Sequence, residues 1–351
     1  KYKINDHIFL ARDRVGIKPI YYLQIDNKFI FSSEIKSILK YGKYERSINQ
    51  DAIGSYLQFR YTISNNTLFD GIKKFPAGHY GIVKNSQLNI FKYWQLPNKE
   101  NYEIKNKEYY SEKFSYLLED SVNLRMNSDV PFGMYLGGGI DSTVILSIIN
   151  KLSNNPINTY SIDFNPSSGE SLAASKIASE FSSNHNNIIV QDKDLEMLPE
   201  IINHFDEPHG GAIALPMYKL SKEASKDVKM VLTGEGADEI LAGYQYFKSV
   251  HYAHKINPFL FLINRLLWVT PNFVINWLSN HPGKFRKKSK QRLLDLFLNK
   301  NLNYIEKLKS LMTLFTKKEV DELLCIHYND NVEMEKQYSL TNMQKYIFND
   351  F

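Results

Sequence analysis

A chain of 351 residues with 43% hydrophobic and 23% charged residues has the make-up of a globular protein, which excludes a chain too polar to build a core. Its net charge of +5 is mild for this length and excludes the strongly basic balance expected of a protein that holds nucleic acid by charge. The single cysteine, Cys325, excludes an internal disulfide framework and suits a reducing compartment, by default the cytoplasm.

The chain opens on Lys1 and runs at once into HIFLARD, a strand pattern, and it stops at YIFNDF without a turn or polar tail. Both ends read as cuts within a longer protein. No signal peptide is visible. Up to about Pro97, short apolar runs (KFIFSS, HYGIVK, LNIFKYW) are separated by turn signals at Asp26-Asn27, Ala77-Gly78 and Asn85-Ser86, predicting a β-rich region. From Glu108 the period changes: Tyr110, Phe114, Leu117, Leu118 and Val122 recur at spacings of three and four, predicting an amphipathic helix. Four apolar segments follow, each leading into a loop or helix. They are GMYL, TYSIDF (Thr159 to Phe164), NNIIV (Asn186 to Val190) and KMVLT (Lys229 to Thr233). Strands alternating with helices predict an α/β fold with a parallel, doubly wound sheet.

Beyond Tyr252 the pattern is helical, with a capping-box signal at Thr316 and Glu319. The apolar stretch Pro258 to Leu278 is interrupted by Asn264, Arg265, Pro271, Asn272 and Asn276, too often for a membrane span of about twenty clean residues. The run KFRKKSKQR (Lys284 to Arg292) reads as a solvated loop. Neither membrane nor nucleic acid is the expected partner.

Chemistry concentrates in YLGGGIDSTVI, Tyr135 to Ile145. Three adjacent glycines allow close approach to the backbone, and the N–H groups opening a helix favour an anion. The lysine of a P-loop is absent, and Asp141 carries the wrong charge for direct phosphate contact, so a metal between them is implied. A second glycine-rich turn, GEGADE (Gly234 to Glu239), follows KMVLT and carries Glu235, Asp238 and Glu239. If the two strands are neighbours, Asp141 and Asp238 converge, and paired carboxylates beside phosphates suit Mg²⁺. Ser142 and Thr143 are expected to donate to phosphate oxygens.

The ordered series LGGGIDST, TYSIDF, DEPHGGAIALPMY (Asp206 to Tyr218) and VLTGEGADEILAGYQYF resembles the synthetase domain of glutamine-dependent asparagine synthetases, of the PP-loop ATP pyrophosphatase type. Upstream, ARDRVGIKPIYY, FIFSSEIKSIL and TLFDGIKKFPAGHY resemble the later half of that family's glutaminase domain, an N-terminal-nucleophile fold. The resemblance implies a glutaminase-like segment over 1–97 and an ATP-binding synthetase domain over 98–351, incomplete at its end. It also implies adenylation of a carboxylate, aspartate in the name-giving enzymes, by ATP with release of pyrophosphate. Ammonia, free or drawn from glutamine, then attacks to form the amide.

By position, Asp141 and Asp238 would hold Mg²⁺-pyrophosphate, and Gly137, Gly138, Gly139 and Ser142 would cradle phosphates. Leu136, Ile162, Thr233 and Gly234 would border the nucleotide, and Glu235 would take the proton of the attacking ammonia. A homodimer is compatible with the family. The family's first loop residue is a serine where this chain has Gly137, and the N-terminal cysteine nucleophile is absent, so glutamine hydrolysis is not expected of this chain.

Duller readings stand beside these. Asp141 could serve the helix dipole alone, Glu239 could be a solvated acid, and Asp206-Glu207-Pro208 could be a helix stop. His251 and His254 form an H-x-x-H without further nearby ligands, Tyr244, Tyr246 and Phe247 suit a core, and Cys325 in ELLCIHY suits a buried apolar site. The functional alternatives are amidation of a uronic acid in a surface polysaccharide, an RNA-modifying ATP pyrophosphatase, and an inactive fragment.

Overall fold

The structure, a computed structural model, describes residues 3–4, 7–95, 105–153, 155–165, 169–211, 213–244, 247 and 312–325. Packing divides the chain into two units, Lys1–Glu100 with Ala242–Phe351, and Asn101–Leu241. The sequence suggests one boundary, at 97–98; contacts add a division at 241–242.

The first unit holds β1 (Lys3–Ile4), β2 (His7–Ala11), β3 (Tyr21–Ile25), β4 (Lys28–Ser32), α1 (Ile35–Leu39), α2 (Gln50–Phe59), β5 (Lys73–Lys74), β6 (His79–Lys84) and β7 (Gln87–Lys92). The strands form antiparallel sheets in the orders β1-β2-β6-β7 and β4-β3-β5. Two hairpins turn on residue pairs with positive φ, Asp26-Asn27 (47° and 54°) and Asn85-Ser86 (48° and 62°). Such turns match the right-handed twist of the strands they join, and Asn and Asp tolerate the conformation. Leu10, Tyr22, Phe75 and Val83 make one small core, and Leu23, Ile35, Ile38 and Ile72 another.

The helix Lys317–Leu324 packs on α2 within the same unit, and the predicted capping box is present: Thr316 accepts from the Glu319 N–H, and Glu319 from the Thr316 N–H. Cys325 departs from its expected burial. It is exposed in left-handed conformation (φ 54°) at the end of that helix, because the helix stops there and the terminating residue turns away from the packed face. Phe247 is buried as a core residue, its ring centroid 6.2 Å from that of Tyr244. His251, His254, the stretch 258–278, the basic run 284–292 and Tyr246 lie outside the described residues.

The second unit begins with α3 (Lys107–Met126), whose first turn is capped by the Asn106 side chain accepting from the Tyr109 N–H at 3.0 Å. The helix forms as predicted, but within its expected apolar face only Val122 is fully buried, while Tyr110, Phe114 and Leu117 stay exposed. Next come β8 (Phe132–Tyr135), α4 (Ile140–Leu152), β9 (Asn158–Asp163), α5 (Gly169–Glu180), β10 (Asn184–Ile189), α6 (Leu198–Phe205), α7 (Ala214–Ala224), β11 (Met230–Leu232) and α8 (Ala237–Leu241).

All four strands of this sheet are parallel, in the order β10-β9-β8-β11. The chain therefore steps outward twice from β8, then crosses back to pair β11 on its other side. Side-chain alternation sends Met134, Leu136 and Leu232 to one face, against Val122, Leu146, Ile149, Ala174 and Ala178 of α3, α4 and α5. Tyr160 and, less buried, Tyr135, Ile162 and Val231 face the other way, against Leu220 and Ala224 of α7. The sheet is covered by helices on both faces, as parallel sheets require. Among the described residues no helix is long and apolar enough to cross a membrane.

Candidate active site

The reversal of strand order between the parallel neighbours β8 and β11 marks where a ligand is expected. In doubly wound sheets the crevice opens at the carboxyl ends of the two strands flanking that reversal. The loops leaving these strands are the two glycine-rich turns. Leu136 still belongs to the sheet, its N–H donating to Tyr160 O at 2.8 Å, and it is 1% exposed. The backbone then leaves the sheet through Gly137 and Gly138 and enters α4 with Gly139 as an extended N-cap that offers no side chain. Asp141 sits in the first turn, where its charge is favoured by the helix dipole.

The two loops touch. A Cβ at Gly234 would lie 2.9 Å from Ser142 N, 3.1 Å from Asp141 C and 3.3 Å from Asp141 Cβ, so only a glycine lets the β11 loop rest on the first peptides of α4. Glu235 follows, exposed, then Gly236 at φ 103°, and Asp238 in the first turn of α8 is half-buried. Gly138 is pressed from the other side: its missing Cβ would lie 2.8 Å from Glu170 O and 3.0 Å from Ala173 Cβ of α5. Gly137 has room. Its nearest neighbours to a Cβ are Glu170 Oε1 and Ser142 Oγ, both at 3.8 Å.

The hydroxyls of Ser142 and Thr143 hydrogen-bond within the loop. Ser142 Oγ accepts from the Gly137 N–H at 3.1 Å and donates toward Gly137 O, and Thr143 Oγ1 donates to Gly139 O at 2.7 Å. Both are engaged with the loop they belong to. Ile162 lies near the end of β9, partly buried between the side chains of α7 and the α6 layer, and Thr233 directly follows β11. Asp206 is the left-handed cap (φ 67°) that ends α6, which supports its reading as a helix stop. Glu170, beside Gly137, was not singled out from sequence; its only local signal is a place in the first turn of the helix after β9.

Among the described residues no group of three or more His, Cys, Asp or Glu side chains gathers as a metal site.

Comparison with known proteins agrees with this architecture. The asparagine synthase family profile matches residues 113–346, and the glutamine amidotransferase domain profile matches residues 2–94. The chain belongs to the asparagine synthase family. A Methanocaldococcus jannaschii protein carrying the name asparagine synthetase (glutamine-hydrolysing) 2 is 31% identical over 282 residues, covering 78% of this chain and 54% of that protein. Asparagine synthetase 1 of Bacillus subtilis is 33% identical over 248 residues, 70% of this chain and 39% of the relative. The amidase chry2 of Gibberella zeae is 28% identical over 267 residues, 69% of this chain and 38% of the relative. The chain thus spans about half the length, or less, of the curated relatives it matches.

Proposed function

We propose that the chain carries the ATP-using part of an amide-forming ligase of the asparagine synthetase type, with a glutaminase-like segment over 1–97 and the synthetase part over 98–351. The reading is carried by the meeting of two glycine-rich, acid-bearing loops at the reversal of strand order, with Gly234 laid on the Asp141–Ser142 peptide. In the first stage a carboxylate oxygen of the acceptor attacks the α-phosphorus of ATP. The α–β P–O bond breaks and pyrophosphate leaves with the bonding pair. In the second, ammonia nitrogen attacks the acyl carbon, AMP departs with the C–O bonding pair, and the surplus N–H proton passes to Glu235.

Each residue has a part. Backbone N–H groups of Gly137 to Ser142 cradle phosphates, and Leu136, Ile162, Thr233 and Gly234 border the nucleotide. Preorganised donors aimed at the leaving pyrophosphate stabilise the transition state more than the ground state. Asp141 and Asp238 offer hard carboxylate oxygens beside that cradle, a donor set that fits Mg²⁺. When bound, the ion supplies charge neutralisation on the departing phosphates. Glu235 is exposed on its loop, open to a small nucleophile.

Aspartate, giving asparagine, is the first acceptor to test, because the relatives from M. jannaschii and B. subtilis carry that name. The G. zeae relative carries another, so the panel reaches beyond aspartate to other carboxylic acids. Use of ATP and the single cysteine support a cytoplasmic setting. Incubation of the chain with ATP, Mg²⁺, ammonium and a panel of carboxylic acids should release AMP and pyrophosphate with one acid. Tight ATP binding with no pyrophosphate for any acid would overturn the reading.

A further inference from the structure

Buried hydroxyls on a central strand need an explanation, since apolar side chains would fill the same layer without desolvating polar atoms. Beneath α5 the face of β9 carries Thr159 and Ser161, 0% and 5% exposed. Directly opposite them on β10, in register, stand His185 and Asn187. Thr159 Oγ1 lies 3.0 Å from His185 Nδ1 and 3.1 Å from Ser183 Oγ, and Ser183 Oγ donates to Ala178 O near the end of α5. Ser161 Oγ lies 3.1 Å from His185 Nε2 and donates to Asn187 Oδ1, and the Asn187 amide donates to Ser171 Oγ in the first turn of α5. One imidazole thus joins two branches that tie α5 near both ends.

A neutral ring offers one N–H and one acceptor nitrogen, so it donates to one of the two hydroxyls, Thr159 at Nδ1 or Ser161 at Nε2, and accepts from the other. Burial lowers the imidazole pKa and keeps the ring neutral.

The first turn of α5 is also the surface on which the phosphate loop rests, through Glu170 O and Ala173 against Gly138. We infer that His185 is a positioning residue for the loop at 137–139: by fixing α5 along β9 and β10, the seam sets the height of that surface and so the aim of the loop's N–H groups. A hydrogen-bonded polar seam selects one helix register, whereas an apolar layer would let α5 slide. What the loop binds rests on the proposed function; the mechanical link does not.

Amide hydrogen exchange on the full chain separates the two. In His185→Leu, exchange across 137–143 should accelerate at least tenfold while α7, on the opposite face, keeps its native rates. The Kd for Mg²⁺-ATP should rise at least fivefold, with most of the loss recovered in His185→Gln. If His185→Leu does not fold, Ser171→Ala, which removes the hydroxyl that accepts from the Asn187 amide, is read in the same way. Native exchange in the loop with fraying confined to α5, or equal acceleration throughout residues 101–241, would overturn the inference. Absence of Mg²⁺-ATP binding by the unsubstituted chain would overturn the proposed function and leave the loop exchange to decide the mechanical link.

Discussion

The hairpin turns of the first unit and the glycine loops of the second use small or permissive residues for opposite reasons. At Asp26-Asn27 and Asn85-Ser86 the backbone itself is left-handed, and the residue is chosen for its φ. At Gly138 and Gly234 φ is not positive, and the glycine is needed because another backbone occupies the place of its Cβ. The first kind shapes a single turn. The second brings separate elements together, and the candidate site exists only where they meet.

Substitutions can break that contrast, beginning with the largest effect. Gly234→Val would force the β11 loop off the first turn of α4. Overpacking of this kind costs about 1–3 kcal/mol, so Mg²⁺-ATP binding by calorimetry should weaken about tenfold to a hundredfold. Unchanged affinity would mean that the loops need not touch. Gly137→Ser runs the other way, since its side chain meets only ordinary contacts with Glu170 and Ser142. The added hydroxyl should speed pyrophosphate release, by about tenfold, below the 10²- to 10³-fold seen when a preorganised donor is removed elsewhere. A slower variant would show that the loop is tuned to glycine.

Gly78→Ala meets both demands at once, in the unit that does not carry the site. With φ at 68° and the backbone oxygen of Trp94 2.8 Å from the new Cβ, it should destabilise the first unit by about 1–3 kcal/mol in denaturant unfolding. ATP affinity should not move.

A smaller effect concerns acid. The side-chain hydrogen bond from Lys219, with the Gln191 N–H, holds the Asp194 carboxyl below its usual pKa. A depressed carboxylate stabilises the fold above its unfolded pKa, and that contribution is lost as pH falls through the folded one. Thermal unfolding of the second unit should therefore drop on acidification below about pH 4, and less so in Lys219→Met. An identical acid slope in the variant would remove the pair from the account. Cys325→Ser, on an exposed helix end, should change stability by no more than about 0.5 kcal/mol.

Much of this was legible in the sequence because its signals are local. Alternating apolar runs gave β2, β4, β6 and β7, the Asx turns gave the hairpins, and Thr316 with Glu319 gave a capped helix. The two glycine-rich turns were legible as loops that follow strands, and the structure brings Gly234 of one against Asp141 and Ser142 of the other. What escaped depends on distant neighbours. The exposure of Tyr110, Phe114 and Leu117 is decided by which face of α3 meets α4, and no spacing rule distinguishes the two. Glu170 and Ser171 are ordinary first-turn residues until α5 is laid against Gly138.

The most direct test is hydrogen exchange of the chain with and without Mg²⁺-ATP. One site made from both loops predicts slower exchange in 136–143 and in 232–239 together, with the effect reduced in both when Mg²⁺ is withheld. Protection of one loop alone, or of neither while ATP binds elsewhere, would contradict it.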